Sequence, residues 1–306
     1  MDVSIIIVNY NTLKMTQECI DSVFEKTSDL DFEVILVDNG STDGSREHFS
    51  KDSRIRYIYS EKNLGFGRAN NIGYAQAKGK YLFLLNSDTY LLNNAVYLLW
   101  RGFEDANEEK GDVACAGTML LNKDGKIAHS YAKFPSKYRS ILCASIYLIL
   151  WKLHLLKAMP STNNYHYDKF KENKSFDVDY ITGADLMVRR DIADKYGLFD
   201  TDFFMYCEET EMEYRFMKHG LRRIIVQGID IVHLEGKSNA KHSPKRTTMV
   251  MKSHFLYFEK TCRPIVYTIY RLVYKFAYIS TYLLCFPFVH GENREKWEHV
   301  VDVINM

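Results

Sequence analysis

The chain has 306 residues, 46% of them hydrophobic and 26% charged, with a formal net charge of +1. That is a normal globular composition, sufficient for one large domain or a domain with an appendage, and a charge so near zero gives no whole-molecule attraction to nucleic acid. Neither zinc-finger spacing nor an RNP-like aromatic pattern occurs, and the six cysteines (19, 115, 143, 207, 262 and 285) form no Cys-x-x-Cys pair, which argues against a zinc site or a disulfide framework and suits a reducing compartment.

The opening MDVSIIIVNYN enters a strand directly, with no basic segment and cleavage site before it, so no secretory leader is expected and the chain is placed in the cytoplasm. VSIIIVNYN (3–11) is a β-branched run ending in polar residues, the pattern of a buried parallel strand. In 12–27, Leu13, Met15, Cys19, Ile20, Val23 and Phe24 share roughly one helical face. FEVILVDNGSTDGS (32–45) predicts a second buried strand and a glycine-bearing loop, SREHFSK a short helix, and IRYIYSE (55–61) a third strand. A helix entered through glycines is expected over 65–79, stopped by Gly79, and KYLFLLNSD (80–88) is the fourth strand. Four strand–helix alternations in about ninety residues point to an open α/β sheet with parallel strands.

The second half is less regular. Residues 112–130 predict strands around an Asp124-Gly125 hairpin. Residues 176–200 predict a strand and then a helix from about Asp191, 203–221 an acidic helix, and 222–238 a strand ending at His233. The region from 241 to 306 reads as helical and aromatic, so the expected division is an α/β domain over 1–240 and a C-terminal extension over 241–306.

Ligands of open α/β sheets bind outside the carboxyl ends of the strands. Asn9-Tyr10-Asn11, Asp38-Asn39 and Asn86-Ser87-Asp88 all lie at such ends. Asp88 suits a hard cation such as Mg²⁺ or Mn²⁺, which would hold a diphosphate; the alternative is that it caps the following helix. Asp38 and Asn39 could meet a nucleobase or ribose or form an Asx-turn, and Tyr10 could stack on a base or pack at a rim. Gly65-x-Gly67 is a fragment of a dinucleotide fingerprint, but it follows the third strand and its third glycine is Asn70. In CEETEMEYR, Glu208, Glu209, Glu211 and Glu213 read either as a solvated acidic helix start or as a general base with neighbours that raise its pKa. His233 is structural or, near Asp88, a metal ligand.

Together SIIIVNYN, VILVDNGSTDGS, NLGFGRANNIG, LLNSDT, TGADLMVRRD, FFMYCEETEMEYR and IVHLEGKS resemble, in order and spacing, the inverting family 2 glycosyltransferases of GT-A fold, most nearly a rhamnosyltransferase-like bacterial branch that builds cell-surface polysaccharide. The likeness covers roughly residues 1–240. It implies a Rossmann-like, mostly parallel sheet flanked by helices, a nucleotide-diphosphate sugar donor, a divalent metal (Mn²⁺ or Mg²⁺), and a glycan acceptor, lipid-linked by family habit. By position it implies donor contacts from Tyr10, Asp38, Asn63, Arg68, Asn86 and Ser87, and metal ligation by Asp88 and His233. Glu209 falls at the catalytic base, and Gly183, Ala184, Asp185 and Glu208 on the acceptor side; Arg215 matches the family's helix arginine. Two departures stand out: Asn86 replaces the first acid of the DxD position, and Glu209 is one methylene longer than the usual Asp. They motivate the alternative of a sugar-nucleotide-binding scaffold subunit without catalysis. A nucleotidyltransferase is a further alternative, disfavoured because NYNTLK is not the basic, glycine-rich loop expected after its first strand.

The tail RPIVYTIYRLVYKFAYISTYLLCFPFVHG (263–291) is interrupted by Arg271 and Lys275 and stopped by Pro287. Its uncharged run is too short for a spanning helix, which needs about 20 residues. A basic, Tyr-rich helix in the membrane interface is expected, placing the chain at the inner face of the plasma membrane; packing on the catalytic domain or against a second copy in a homodimer are the alternatives. The apolar stretch 140–159 is a second candidate contact.

Overall fold

The β-branched run at the start forms strand β1 (Val3–Asn9), and helix α1 (Leu13–Lys26) returns the chain to β2 (Phe32–Asp38). This is a computed structural model, and it describes residues 1–138, 140, 175–234 and 244–285. The stretch 141–159 and the tail beyond Cys285 lie outside the described residues. The alternation continues through α2 (Ser45–Phe49), β3 (Arg56–Tyr59), α3 (Phe66–Gln76) and β4 (Tyr81–Asn86). Then come β5 (Thr89–Leu91), α4 (Ala95–Lys110), β6 (Val113–Thr118), β7 (Tyr131–Ala132), β8 (Phe176–Asp177), β9 (Tyr180–Ile181), β10 (Asp185–Arg189) and α5 (Arg190–Tyr196). Helix α6 (Glu208–Lys218), β11 (Arg222–Val226), β12 (Ile231–His233), α7 (Pro244–Thr261) and α8 (Pro264–Cys285) complete the described elements.

Eight strands form one sheet in the order β3-β2-β1-β4-β10-β6-β11-β8. β1 runs parallel to β2 and β4, β2 to β3, and β6 to β11, as the alternation predicts, whereas β10 lies antiparallel between β4 and β6. Side chains alternate between two buried faces. Ile5, Ile7, Phe83 and Leu85 pack on one face with Cys19, Ile20 and Val23 of α1 and Leu99 and Phe103 of α4. Ile6, Ile35, Leu82 and Leu84 pack on the other with Ala69 of α3, Ile192 of α5 and Met212 and Phe216 of α6. The predicted turn near 124 is a short antiparallel bridge, Leu121 to Ile127, with Gly125 at φ +72°.

The chain divides into two compact units: Met1–Lys133 with Tyr165–Phe204 and Glu208–Ser238, and Phe134–Asn164 with Met205–Cys207 and Asn239–Met306. In the first unit Gly65 holds φ +88°, a region costly for any residue with a Cβ, and a Cβ there would lie 2.1 Å from the Phe204 carbonyl oxygen. That oxygen accepts a 2.9 Å hydrogen bond from Phe66 N–H, so it has little room to retreat. Gly65→Ala is expected to destabilise the protein by about 3 kcal/mol, summing backbone strain and overpacking; an unchanged urea midpoint would contradict this packing.

In the second unit, Pro264 opens α8 at the one helical position where a missing N–H costs nothing. Helices α7 and α8 meet through Phe258 and Tyr270, ring centroids 4.5 Å apart, and through Phe255 and Tyr274 at 5.2 Å. Ser253 donates to the Met205 carbonyl at 2.7 Å in the same unit.

Candidate active site

The register sets Asn9 beside Asp38 and Val8 beside Asn86, so the polar ends of β1, β2 and β4 share one sheet edge. Asn9 is fully buried: its side-chain Oδ1 accepts from Thr12 N–H (3.2 Å), Thr12 Oγ1 (2.8 Å) and Thr16 Oγ1 (2.9 Å), and its Nδ2 donates to Ser41 Oγ (3.1 Å). Thr12 Oγ1 also lies 3.1 Å from Ser87 Oγ, tying β1 to the 86–88 turn. Asp38 is buried too, accepting from Ser41 N–H at 2.9 Å, the Asx-type turn weighed from the sequence, and from the Tyr57 hydroxyl at 2.8 Å. Asn39 donates to Asn63 Oδ1 (3.0 Å) and accepts from Leu64 N–H (2.9 Å), while Asn63 Oδ1 also takes Gly65 N–H (2.9 Å). This network shapes the loop before α3. Tyr10 stands 45% exposed at the same edge, its ring open to a planar partner. Arg68 donates through Nε to Thr201 O at 2.6 Å.

Asp88 does not begin a helix. The three-residue strand β5 follows it, and α4 starts only at Ala95. β5 pairs antiparallel with β12, and the Asp88 carbonyl accepts from Leu234 N–H at 3.0 Å. That ribbon carries His233 to Asp88: Nε2 lies 3.2 Å from Oδ1, both side chains mostly buried. A carboxylate oxygen and an imidazole nitrogen converging on one point fit a divalent cation. No cluster of three or more such side chains occurs among the described residues.

The acidic stretch is not a solvated face. Helix α6 begins at Glu208, and Glu208, Glu211 and Glu213 are buried while Glu209 is half-buried. Desolvation pushes the Glu209 carboxyl up to about 7. Glu208 is pushed well above the usual range, first by burial and then by the charge of Glu209, and its Oε2 has no hydrogen-bond partner among the described residues. Burial raises Glu213 as well, although both its oxygens accept from Ile181 N–H (3.1 and 3.0 Å). This contact clamps α6 onto β9 one turn beyond Glu209. Glu211 pairs with Arg215 at 3.1 Å, and Arg215 donates to the carbonyls of Tyr196, Gly197 (2.8 Å) and Leu198 (2.8 Å), closing the end of α5.

Residues 183–185 connect the two halves of the site. Ala184 O accepts from Asn86 N–H at 2.9 Å, and a Cβ on Gly183 would lie 3.9 Å from the Glu209 Cβ. Asp185 is fully buried, with Oδ2 accepting from Thr118 N–H (2.7 Å) and Thr118 Oγ1 (2.6 Å). Burial pushes its carboxyl up to about 7 against those bonds and against the nearby His233. Two organising roles were not read from the sequence: that of Glu213, taken there only as one of the acidic cluster, and that of Thr118, which sequence reasoning passed over. The i, i+4 spacing of Glu209 and Glu213 on one helix was the available signal for the first; nothing local pointed to the second.

A separate cleft of about 430 Å³ opens at the other end of β4, lined by Lys80, Tyr81, Glu104, Asn107, Arg189, Arg190, Asp191 and Asp194. Its charges are largely answered within it, Arg189 by Asp191 and Arg190 by Asp194, and it lies away from the residues described above.

Residues 4–197 match the family model described as "Glycosyl transferase family 2". Over 237 residues the chain is 27% identical to the low-salt glycan biosynthesis hexosyltransferase Agl10 of Haloferax volcanii, covering 76% of this chain and 67% of that protein. It is 33% identical over 115 residues to the glycosyltransferase GlyG of Streptococcus pneumoniae, covering 36% of this chain and 37% of the relative. With the chondroitin synthase of Escherichia coli it shares 30% identity over 184 residues, 58% of this chain and 25% of that one. The chain thus spans well under two thirds of the length of these last two relatives. A crystal structure of GalNAc-T7 with UDP, GalNAc and Mn²⁺ superposes with a TM-score of 0.61 over 99% of this chain and 54% of the other, at 15% identity, which bears on the fold alone. With the family model matched over most of an α/β core whose polar strand ends share one edge, the chain belongs to glycosyl transferase family 2.

Proposed function

We propose that this chain transfers a sugar from a nucleotide-diphosphate sugar to a hydroxyl of a glycan acceptor, with inversion, in the assembly of cell-surface polysaccharide. The observation that carries the reading is the 183–185 segment: Ala184 O accepts from Asn86 N–H of the Asn86-Ser87-Asp88 turn, and at Gly183 the backbone passes near Glu209, where an added Cβ would lie 3.9 Å from the Glu209 Cβ. Asp88 and His233 would hold a divalent cation, whose contribution when bound is to neutralise the departing diphosphate. Tyr10 stacks on the nucleobase, and Asp38, Asn63, Arg68, Asn86 and Ser87 shape the donor edge. Glu209, its carboxyl raised to about 7, takes the proton of the acceptor hydroxyl. The acceptor oxygen bonds to the anomeric carbon as the bond to the diphosphate breaks on the opposite face, so configuration inverts and no enzyme nucleophile is needed. Gly183, Ala184, Asp185 and Glu208 line the acceptor side.

The reading places the work in the cytoplasm, at the inner membrane face where a lipid-linked acceptor is presented.

The test is a thermal-shift panel of UDP-, dTDP- and GDP-linked sugars with and without Mn²⁺, followed by transfer and donor-hydrolysis assays with whichever binds. Ligand bound to the native state raises the midpoint by mass action. A metal-dependent shift with one nucleotide class, followed by turnover, is the expected result. A shift without turnover on any acceptor or on water selects the scaffold reading, and no shift with any nucleotide sinks both.

A further inference from the structure

The segment from Phe199 to Phe204 is fastened along helix α3 through its own backbone. Phe199 donates its N–H to Asn71 Oδ1 (3.2 Å), and its carbonyl accepts from Asn71 Nδ2 (2.7 Å). The Thr201 carbonyl accepts from Arg68 Nε (2.6 Å) and the Phe204 carbonyl from Phe66 N–H (2.9 Å). The last contact depends on Gly65, where a Cβ would also lie 3.0 Å from the Phe204 Cα. Phe203 is fully buried, whereas Phe204, on the same fastened backbone, is 45% exposed. Single exposed apolar side chains are common on surfaces. This one stands on a backbone with little freedom left, and a ligand that meets a preformed surface pays less for ordering it.

The same turn of α3 that holds Phe204 also meets the acidic start of α6. The Phe66 ring lies 3.4 Å from where a Gly183 Cβ would be, and that Cβ would lie 3.9 Å from the Glu209 Cβ. A Cβ on Gly67 would lie 3.6 Å from the Glu208 Cβ. Residues 65–67 thus touch the Phe204 backbone and the surroundings of Glu209 together. The charge of this stretch narrows the occupant. Asp200, Asp202, Glu208 and Glu209 lie within five residues of Phe204, and no Lys or Arg occurs from Leu198 to Met212. Arg68, nearby on α3, spends its Nε on the Thr201 carbonyl. An anionic occupant, such as the diphosphate of the donor, is disfavoured beside Asp200 and Asp202. A neutral pyranose fits. One face of its ring is lined by C–H bonds, whose hydrogens carry partial positive charge and suit the negative face of an aromatic ring. Its hydroxyls can donate to the carboxylates alongside.

We propose that Phe204 is a specificity-determining residue, the platform on which a neutral pyranose ring of the acceptor stacks. The proposal rests on the transfer reading and deepens it by naming what holds the acceptor. Pyranoside binding is measured apart from turnover, so the failure of one is distinguishable from the failure of the other.

The experiment is saturation-transfer NMR on the full chain, with and without the nucleotide chosen by the thermal-shift panel. The probes are methyl β-D-glucopyranoside, methyl β-D-galactopyranoside, methyl α-L-rhamnopyranoside and the anionic methyl β-D-glucuronide. Wild type should pass saturation to the C–H protons of at least one neutral pyranoside, and less to the glucuronide. Phe204→Ala should weaken that binding about tenfold, through loss of the stacked ring and the area it covers. Phe204→Leu should also weaken it, because it lacks the aromatic face, and Phe204→Tyr should bind like wild type. In transfer assays with the pyranoside that binds, Phe204→Ala should raise the acceptor KM and leave donor hydrolysis unchanged. Saturation that reaches no neutral pyranoside, with or without nucleotide, overturns the proposal. So does binding that Phe204→Ala leaves unchanged, or a glucuronide bound as tightly as its neutral counterparts. Pyranoside binding lost in Phe204→Ala, with no nucleotide sugar turned over, sinks the transfer reading and keeps the platform. Turnover with an acceptor KM that Phe204→Ala does not move does the reverse. If Phe204→Ala fails to fold, Phe204→Leu decides: folded and binding like wild type, it overturns the proposal.

Discussion

Glu209→Gln is expected to lower sugar transfer by about 10²–10⁴-fold, the range that positioned general bases contribute, while leaving donor affinity and the fold intact. Gln keeps the size and the hydrogen-bonding oxygen of Glu209 but cannot take a proton. The neighbouring anchors Glu213 to Ile181 and Arg215 to the end of α5 are untouched, so helix α6 should stay in place. Transfer at the wild-type rate would remove Glu209 from the mechanism. The pH profile provides an independent check. Glu209 must be ionised to act, and its carboxyl sits at about 7, so the wild-type rate should climb with pH and level off above that value. Stability should move the other way. A carboxyl raised from 4.5 to about 7 in the folded state binds its proton more tightly there than in the unfolded chain. Its stabilising contribution is complete below 4.5 and is lost as pH rises through about 7. Relative to wild type, Glu209→Gln should therefore melt higher at pH 8 than at pH 4, a difference that melting curves at the two values would reveal.

Asp88→Ala is expected to abolish the metal-dependent part of nucleotide binding and, with it, transfer. Even loss of an outer-shell partner typically costs about 10–100-fold in metal affinity, and Asp88 is the carboxylate of a two-residue donor set. The fold should tolerate the change. The link from Asp88 to β12 runs through its main-chain carbonyl and Leu234 N–H, which the substitution keeps. Removing a partner from His233 leaves an imidazole that can stay neutral, a smaller penalty than stranding a buried charge. Titration calorimetry of Mn²⁺ with the nucleotide selected by the thermal-shift panel, on wild type, Asp88→Ala and Asn86→Ala, measures the effect. Asn86→Ala should cost less, because Asn86 is placed on the donor edge and not in the cation's two-residue donor set. Equal metal-dependent binding by wild type and Asp88→Ala would dismiss Asp88 as a ligand and leave it as a support for the β5–β12 ribbon.

Much of the first half was legible in one dimension. The runs VSIIIVN, FEVILVD and YLFLLN are apolar on both faces, which in water demands a strand covered on both sides, and the glycine at 65 marks where a helix enters, although that helix ends at Gln76 and not at Gly79 as expected. The gathering of Asn9, Asp38 and Asn86 at one edge follows from parallel pairing alone, since parallel strands of similar length end together. Tertiary structure decided what contacts far apart in sequence decide. β10 inserts antiparallel between β4 and β6, a choice that five residues, Asp185–Arg189, cannot encode by themselves, and through it residues 183–185 reach both Asn86 and Glu209. His233 reaches Asp88 only because β12 pairs with β5 across some 140 residues of chain. Burial also turned the acidic start of α6 from an apparent surface feature into a set of raised carboxyls, because desolvation is set by every neighbouring element together. Hydrophobic period is written residue by residue and so determines the strands and helices from the sequence alone. The environment of a charge is the sum of what packs around it, and only the folded chain decides that.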